Sequence, residues 1–357
     1  MPNDTSPHCF RPLRVAFGLT AAWMIATCAA TGVHAQDRLV PIKGAAATGK
    51  ISEIQRDRVV INVKGRDQTY KTNEIAKVVF DGEPSNLDRA REFINNRQFN
   101  LAETELDKID VSKITDPRIV NDVLFYKGYA AAQMSLSGMG EPRAAAGILN
   151  SAMLAEPQSY HYYKAAELMG DLAMALSLPP AAATKYYREL FAAPFPELKA
   201  IALYKQGEVE LSANNTAEAR KLFQQLLDAS ASDPEMIRLK NLAEVGLTVC
   251  DARDGKSQEA LAKLQELVKK HDSSDQALFA RIYNAQGMCY QALGQKQQAL
   301  LAYLRTDLLF PSSPDLHAEA LYQLTLLWPE VGQPQRSTEA RQRLTTKYAS
   351  SAWSKKP

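Results

Sequence analysis

Five glycines stand at positions 128, 170, 207, 246 and 287, separated by 42, 37, 39 and 41 residues. This recurrence restricts the fold more than composition does. A repeated unit of about 20–50 residues is one supersecondary element stacked on its own copies. Each glycine lies in an apolar pattern with the helical period of about 3.6 rather than the strand period of two. The expected unit is therefore a pair of helices.

The fullest copy starts near Phe279. Tyr283, Gly287 and Tyr290 lie on one predicted helix, Gly294 follows it, Ala299 and Tyr303 lie on the next, and Pro311 ends the unit. Gly170, Ala182, Tyr186 and Pro194 repeat the later positions, as do Leu203, Gly207, Ala219 and Phe223, with a longer tail to Pro234. Gly128 and Pro157 bracket another unit, in which Ser137-Gly138-Met139-Gly140 displaces Ala145 and Leu149. Gly246, Ala260 and Leu264 mark one more. Two flanking units are degenerate. Ala90, Phe93, Ala102 and Leu106 form the first. Leu321, Tyr322, Leu324, Ala340 and Leu344 form the last, with Thr325 in the glycine place and Pro329 and Pro334 expected to cut its first helix short. The count comes to about seven, and atypical end units suit a linear stack whose outer faces meet water.

Glycine on the first helix and alanine on the second allow close approach, while Tyr or Phe fills the space between neighbours. One pair cannot cover its own apolar face, so stability has to come from stacking.

The spacing of Tyr283, Gly287, Tyr290, Ala299, Tyr303 and Pro311 resembles the tetratricopeptide repeat family over about residues 85–348. The lengthened units are similar to the drifted repeats of exported bacterial envelope proteins. The resemblance implies a mainly α fold, an α-α superhelix whose first helices line a concave face that takes extended or helical peptides. Carried across, the face comprises Asp122, Phe125 and Tyr129, then Lys164, Glu167 and Asp171, then Tyr204 and Glu208, then Lys240, and then Arg281, Asn284, Met288 and Gln291. Arg281 and Asn284 are single members of the Lys/Asn/Arg clamp with which some relatives hold a C-terminal carboxylate. Phe125, Tyr129 and Tyr204 are candidate anchors, with packing between repeats as the competing reading.

Residues 36–84 follow a different rule. Lys50–Ile54, Val59–Val63 and Lys77–Phe80 are β-branched and partly alternating, and Lys64-Gly65-Arg66-Asp67 supplies a hairpin turn before Gln68–Lys71. Four or five short strands would form a small SH3-like or Sm-like module leaning on its neighbour, with the boundary at Asp81-Gly82-Glu83-Pro84. Residues 349–357 form a tail.

Residues 1–35 read as a signal peptide. Arg11 and Arg14 precede an apolar run from Val15 to Val33, and Val33-His34-Ala35 places cleavage near Ala35-Gln36. A retained anchor and a lipoprotein modified at Cys28 are the competing readings. The expected location is extracytoplasmic, in the periplasm or its equivalent. Of the four cysteines, Cys250 and Cys289 then remain. They read as small apolar helix residues, and two are too few for a disulfide framework.

Lys and Arg number 42 against 40 Asp and Glu, a net charge of +2, so no basic stripe for nucleic acid is expected. His161, His271 and His317 have no partner at metal-ligand spacing and read as surface or helix-end residues. No phosphate loop, nucleophile elbow or dinucleotide fingerprint occurs. The expectation is a non-enzymatic scaffold for protein partners, with no catalytic residue, cofactor or metal. The alternatives are a structural protein that self-associates through its β module or terminal repeat, and a binder of a glycan or small ligand.

Overall fold

The computed structural model describes residues 36–230 and 233–357. The expected signal peptide, with Cys9 and Cys28, lies outside the described residues. Strands β1 (Asp37–Pro41), β2 (Ala47–Ile54), β3 (Arg58–Val63) and β4 (Arg66–Lys71) form an antiparallel meander. After a single 3-10 turn at Thr72–Glu74, β5 (Ile75–Val79) returns to pair with β1, giving the order β4-β3-β2-β1-β5. Register shifts between Ile51 and Glu53 and between Val40 and Pro41 bend the sheet. Its edge strand β4 exposes Arg66, Asp67 and Lys71, charges that oppose edge-to-edge pairing.

Seven antiparallel helical hairpins follow among the described residues. They are α1 (Ser85–Asn95) with α2 (Phe99–Asp107), α3 (Pro117–Leu136) with α4 (Pro142–Ala155), and α5 (Tyr162–Ala175) with α6 (Pro180–Ala192). Next come α7 (Pro196–Ser212) with α8 (Thr216–Asp228) and α9 (Pro234–Arg253) with α10 (Ser257–Lys270). The last are α11 (Gln276–Ala292) with α12 (Lys296–Leu309) and α13 (Pro314–Glu330) with α14 (Pro334–Lys347). Proline opens α3, α4, α6, α7, α9, α13 and α14, where its missing N–H belongs to an unpaired turn anyway. Pro234 therefore starts α9 and does not close the unit before it. Asp116, Asp233 and Asp275 cap α3, α9 and α11 by accepting backbone N–H bonds.

The recurrent glycines are notches for rings. A Cβ on Gly207 would lie 2.5 Å from the Phe223 ring, and one on Gly246 would lie 2.6 Å from the opposite edge of the same ring. Gly287 meets Tyr303 and Gly128 meets Leu149 in the same way. Gly170 meets Tyr187, not Tyr186. Ala183 and Tyr187 are the buried pair of that hairpin, so its interhelix turn is one residue longer than the pattern predicts.

All seven turns between paired helices share one hydrogen bond. The N–H of the residue after the turn bonds the carbonyl five positions back, as in Gln98 to Phe93, Met139 to Met134, Leu178 to Ala173, Asn215 to Glu210, Lys256 to Asp251, Gln295 to Tyr290 and Gln333 to Trp328. This is the 6→1 bond of a Schellman ending, which sets one residue in the left-handed region. Gly138, Gly255, Gly294 and Gly332 occupy that place in four turns, while Arg97, Ser177 and Asn214 hold positive φ in the other three.

The sheet and the first hairpins share one core. Leu39, Ile51, Val59, Ile61, Val78 and Phe80 are continuous with Leu87, Leu106, Val123 and Leu149. Asp37 fastens the sheet by accepting from the Ile51 and Asp81 N–H groups at 2.9 and 3.0 Å and from Arg118 of α3 at 3.3 Å. From the β2–β3 turn, Arg56 donates to the Pro157 carbonyl at 2.7 Å and lies 3.5 Å above the Tyr162 ring.

Two expectations are corrected. Pro329 does not shorten α13, which runs 17 residues to Glu330, because a proline in the last turn removes little from the helix ladder. His161 and His317 do lie at helix ends, as the N-cap of α5 and in the first turn of α13, but both are buried and not on the surface. Each is tied to a buried carboxylate, His161 Nε2 lying 3.1 Å from Asp122 and His317 Nε2 lying 2.8 Å from Asp307. Cys250 and Cys289 are free and buried, and burial pushes both thiols up to about 11.

Candidate partner-binding face

The expected face residues separate into two groups. Asp122, Phe125 and Tyr204 belong to the interior, and Asn284, equally buried, belongs with the second group only through its hydrogen bonds. Asp122 is 1% exposed and accepts from Arg91 at 2.7 Å and Tyr160 at 2.9 Å as well as facing His161. Burial works against its ionisation, yet His161 and Arg91 hold its carboxyl below the usual range. Phe125 is stacked on the His161 ring at 3.7 Å and 9°, and Tyr204 packs beside Phe223 at 6.2 Å. Neither ring is open to a partner as an anchor. Phe125 faces the next hairpin through His161, and Tyr204 packs on the Phe223 ring of its own hairpin. Lys240 turns to the end of α8, where it donates to the Leu227 and Ala229 carbonyls.

The remaining residues form a ladder across the first helices. Tyr129, half-buried on α3, leans on Phe99 and Phe125. On α5, Lys164 donates to Glu167 at 2.8 Å. Asp171, one turn further, accepts from Tyr187 of α6 and from Lys205 of α7, both at 2.7 Å. Burial opposes the Lys205 charge, but Asp171 and Glu167 raise its pKa above the ordinary lysine value.

Next, Glu208 of α7 pairs with Arg281 of α11, reaching past α9. The Arg281 guanidinium lies 5.7 Å from the Tyr204 ring centre. Asn284 of α11 donates to Glu319 and to the Leu316 carbonyl of α13, each at 2.9 Å. Gln291 accepts from Tyr303 at 2.9 Å and donates to Gln323 of α13 at 3.2 Å. Met288 is half-buried on the same helix.

Charges therefore alternate along the face, and three buried atoms in its middle have no hydrogen-bond partner among the described residues. They are Glu208 Oε1, Arg281 Nε and Asn284 Oδ1. Buried polar atoms of this kind are costly to leave unpaired.

Sequence reasoning missed Lys205, Asp315, Glu319 and Gln323. Asp315 and Glu319 lie on α13, whose unit carries no glycine to set its register. Burial pushes the Glu319 carboxyl up to about 7. Among the described residues, no three His, Cys, Asp or Glu side chains converge as a metal site.

A family model described as "Tetratricopeptide repeat" matches residues 167–234, from within α5 to the first residue of α9. The hairpin order, the glycine notches and this match decide the architecture. The helical array is tetratricopeptide-like in its arrangement. Among solved structures, a tetratricopeptide repeat protein from Parabacteroides merdae is similar at 15% identity and a TM-score of 0.53, covering 73% of this chain and 91% of that one. Rap protein, crystallised in complex with Competence and Sporulation Factor, is similar at 16% identity and a TM-score of 0.52, covering 76% of each chain. At these identities the likeness concerns the tetratricopeptide fold alone. No curated protein matches the chain.

Proposed function

We propose that this chain is an exported, non-enzymatic scaffold of the cell envelope, which holds a protein partner along the inner face of α5, α7, α11 and α13. One observation carries the reading. The ladder of ion pairs and hydrogen bonds from Lys164 to Gln323 links α5, α7, α11 and α13 into one polar face, with Lys164 exposed at its start. The similar Rap protein was crystallised with a bound factor, which supports protein or peptide cargo. Export rests on residues 1–35, where Arg11, Arg14, the apolar run and Val33-His34-Ala35 direct cleavage near Ala35-Gln36. Self-association through the β module is the weaker reading, because the β4 edge exposes Arg66, Asp67 and Lys71.

Charge reversal tests the assignment. Lys164 is exposed on the inner face and Lys221 on the outer helix α8. Partners are captured from an envelope fraction on the parent chain and their affinity is remeasured. Lys164→Glu should weaken binding about tenfold, as expected for a loss of about 1.4 kcal/mol, while Lys221→Glu leaves it unchanged. The reverse pattern, or equal affinity for both variants, would refute the inner face as the binding surface.

A further inference from the structure

The segment that follows α14 does not trail into solvent. It crosses the open side of the array and touches elements far away in sequence. Ser350 Oγ donates to the Ser135 carbonyl at the end of α3, at 3.4 Å. A Cβ on Gly138, in the α3–α4 turn, would lie 2.7 Å from the Lys347 carbonyl oxygen and 2.7 Å from the Tyr348 ring. The last hairpin therefore meets the second, and the stack comes round on itself.

Beyond this junction the chain turns onto the inner end of α13. The Trp353 indole N–H donates to Asp315 at 3.1 Å, and its ring lies 5.7 Å from Tyr322. The Lys356 ammonium sits 3.6 Å from the Trp353 ring centre and 5.4 Å from that of Tyr322. Arg341 of α14 holds the Lys356 carbonyl. Asp315 stands one helical turn before Glu319, the residue of α13 to which Asn284 of the ladder donates. The hold of the segment is shallow: Ser351 to Ser354 are half-buried, and Lys355 to Pro357 are exposed.

We propose that Ala349–Pro357 is an intramolecular strap. Its Trp353 and Lys356 occupy the Asp315–Tyr322–Glu319 end of the inner face, and a partner segment carrying an aromatic ring and a cation competes with it for that place. The chemistry is direct. Asp315 takes a ring N–H, Tyr322 takes a ring face, and the carboxylates of α13 favour a nearby ammonium, as cation–π and charge-assisted bonds require. The modest burial of the strap makes it displaceable, and an attached segment competes at the high effective concentration that a short tether gives. The inference deepens the scaffold reading and rests on it for the identity of the competitor, but the occupation of α13 is testable without any partner.

The probe is a synthetic heptapeptide of the strap sequence, Ser351 to Pro357, titrated calorimetrically. It should bind a chain ending at Ser350 at least tenfold more tightly than the full chain. In the shortened chain, Asp315→Asn with Glu319→Gln should weaken it at least tenfold. Equal affinity for shortened and full chains, absence of binding to the shortened chain, or indifference to the α13 substitutions would overturn the proposal. Circular dichroism reports whether the shortened chain folds. Should it unfold, the full chain carrying Trp353→Ala with Lys356→Ala takes its place and must bind the peptide at least tenfold more tightly than the parent. A strap that is confirmed while no partner is ever captured on the inner face would leave the device intact and remove the scaffold reading.

Discussion

The ring of Phe223 is held between Gly207 of its own hairpin and Gly246 of the next, so one side chain sets both the spacing within a unit and the spacing between units. Neither notch admits a methyl group without displacing the ring. Gly246→Ala should destabilise the protein by about 1–3 kcal/mol, the usual cost of overpacking, although alanine is the better helix former. Urea unfolding measures it, and a stability equal to or above the parent would contradict the notch. Glu319 supplies a prediction of opposite sign. Its folded pKa of about 7 stands above the ordinary 4.5, so ionisation disfavours the folded state. Stability therefore falls as pH rises from about 4.5 through 7, and the full penalty remains above that. Asp315 and Glu208 add to the shift, whereas Asn284 and Arg281 oppose it. Glu319→Gln should raise the melting temperature at pH 8 and leave it unchanged at pH 4; a gain of equal size at both would dismiss the titration.

The helical hairpin was legible in the sequence because two signals reinforce each other, a glycine notch and the ring that fills it. Where one signal fails, the reading slips. Tyr186 and Tyr187 are adjacent and chemically equal, and only the extra residue in the turn before α6 decides between them. The turns show why the units look irregular. The same 6→1 bond closes all seven, but Arg97, Ser177 and Asn214 occupy a conformation that glycine adopts without strain. Ser177→Gly should stabilise the protein by about 1 kcal/mol, the order of the left-handed penalty for a residue with a Cβ. Guanidinium unfolding tests this, and a loss of stability would deny the shared turn. The inner face was only partly legible. Lys164, Glu167, Asp171, Glu208, Arg281, Asn284 and Gln291 were placed from helix position alone and lie on one ladder. Phe125 and Tyr204 were placed by the same rule and are interior, since a shift of less than one helical turn separates the concave face from the flanks that pack on other helices. The buried His161–Asp122 and His317–Asp307 pairs join residues 39 and 10 positions apart, with no spacing that a single sequence reveals.

Across the described residues, the sheet, the seven hairpins and the segment after α14 form one body. Apolar packing runs from Leu39 in β1 to Leu172 in α5 without interruption, and the end of the chain returns to Ser135. A stack that comes round in this way has an inside and an outside with different duties. The second helices carry solvated charge at Lys221 and Lys263, while the first helices carry the ladder from Lys164 to Gln323. The most direct measurement is site-specific photo-cross-linking in the native envelope, with a photoreactive residue placed in turn at Lys164 and Gln323 inside and at Lys221 and Lys263 outside. Covalent attachment of the same partner from positions 164 and 323, and not from 221 and 263, is the predicted result. Attachment from the outer positions alone would show that partners are held on the opposite face.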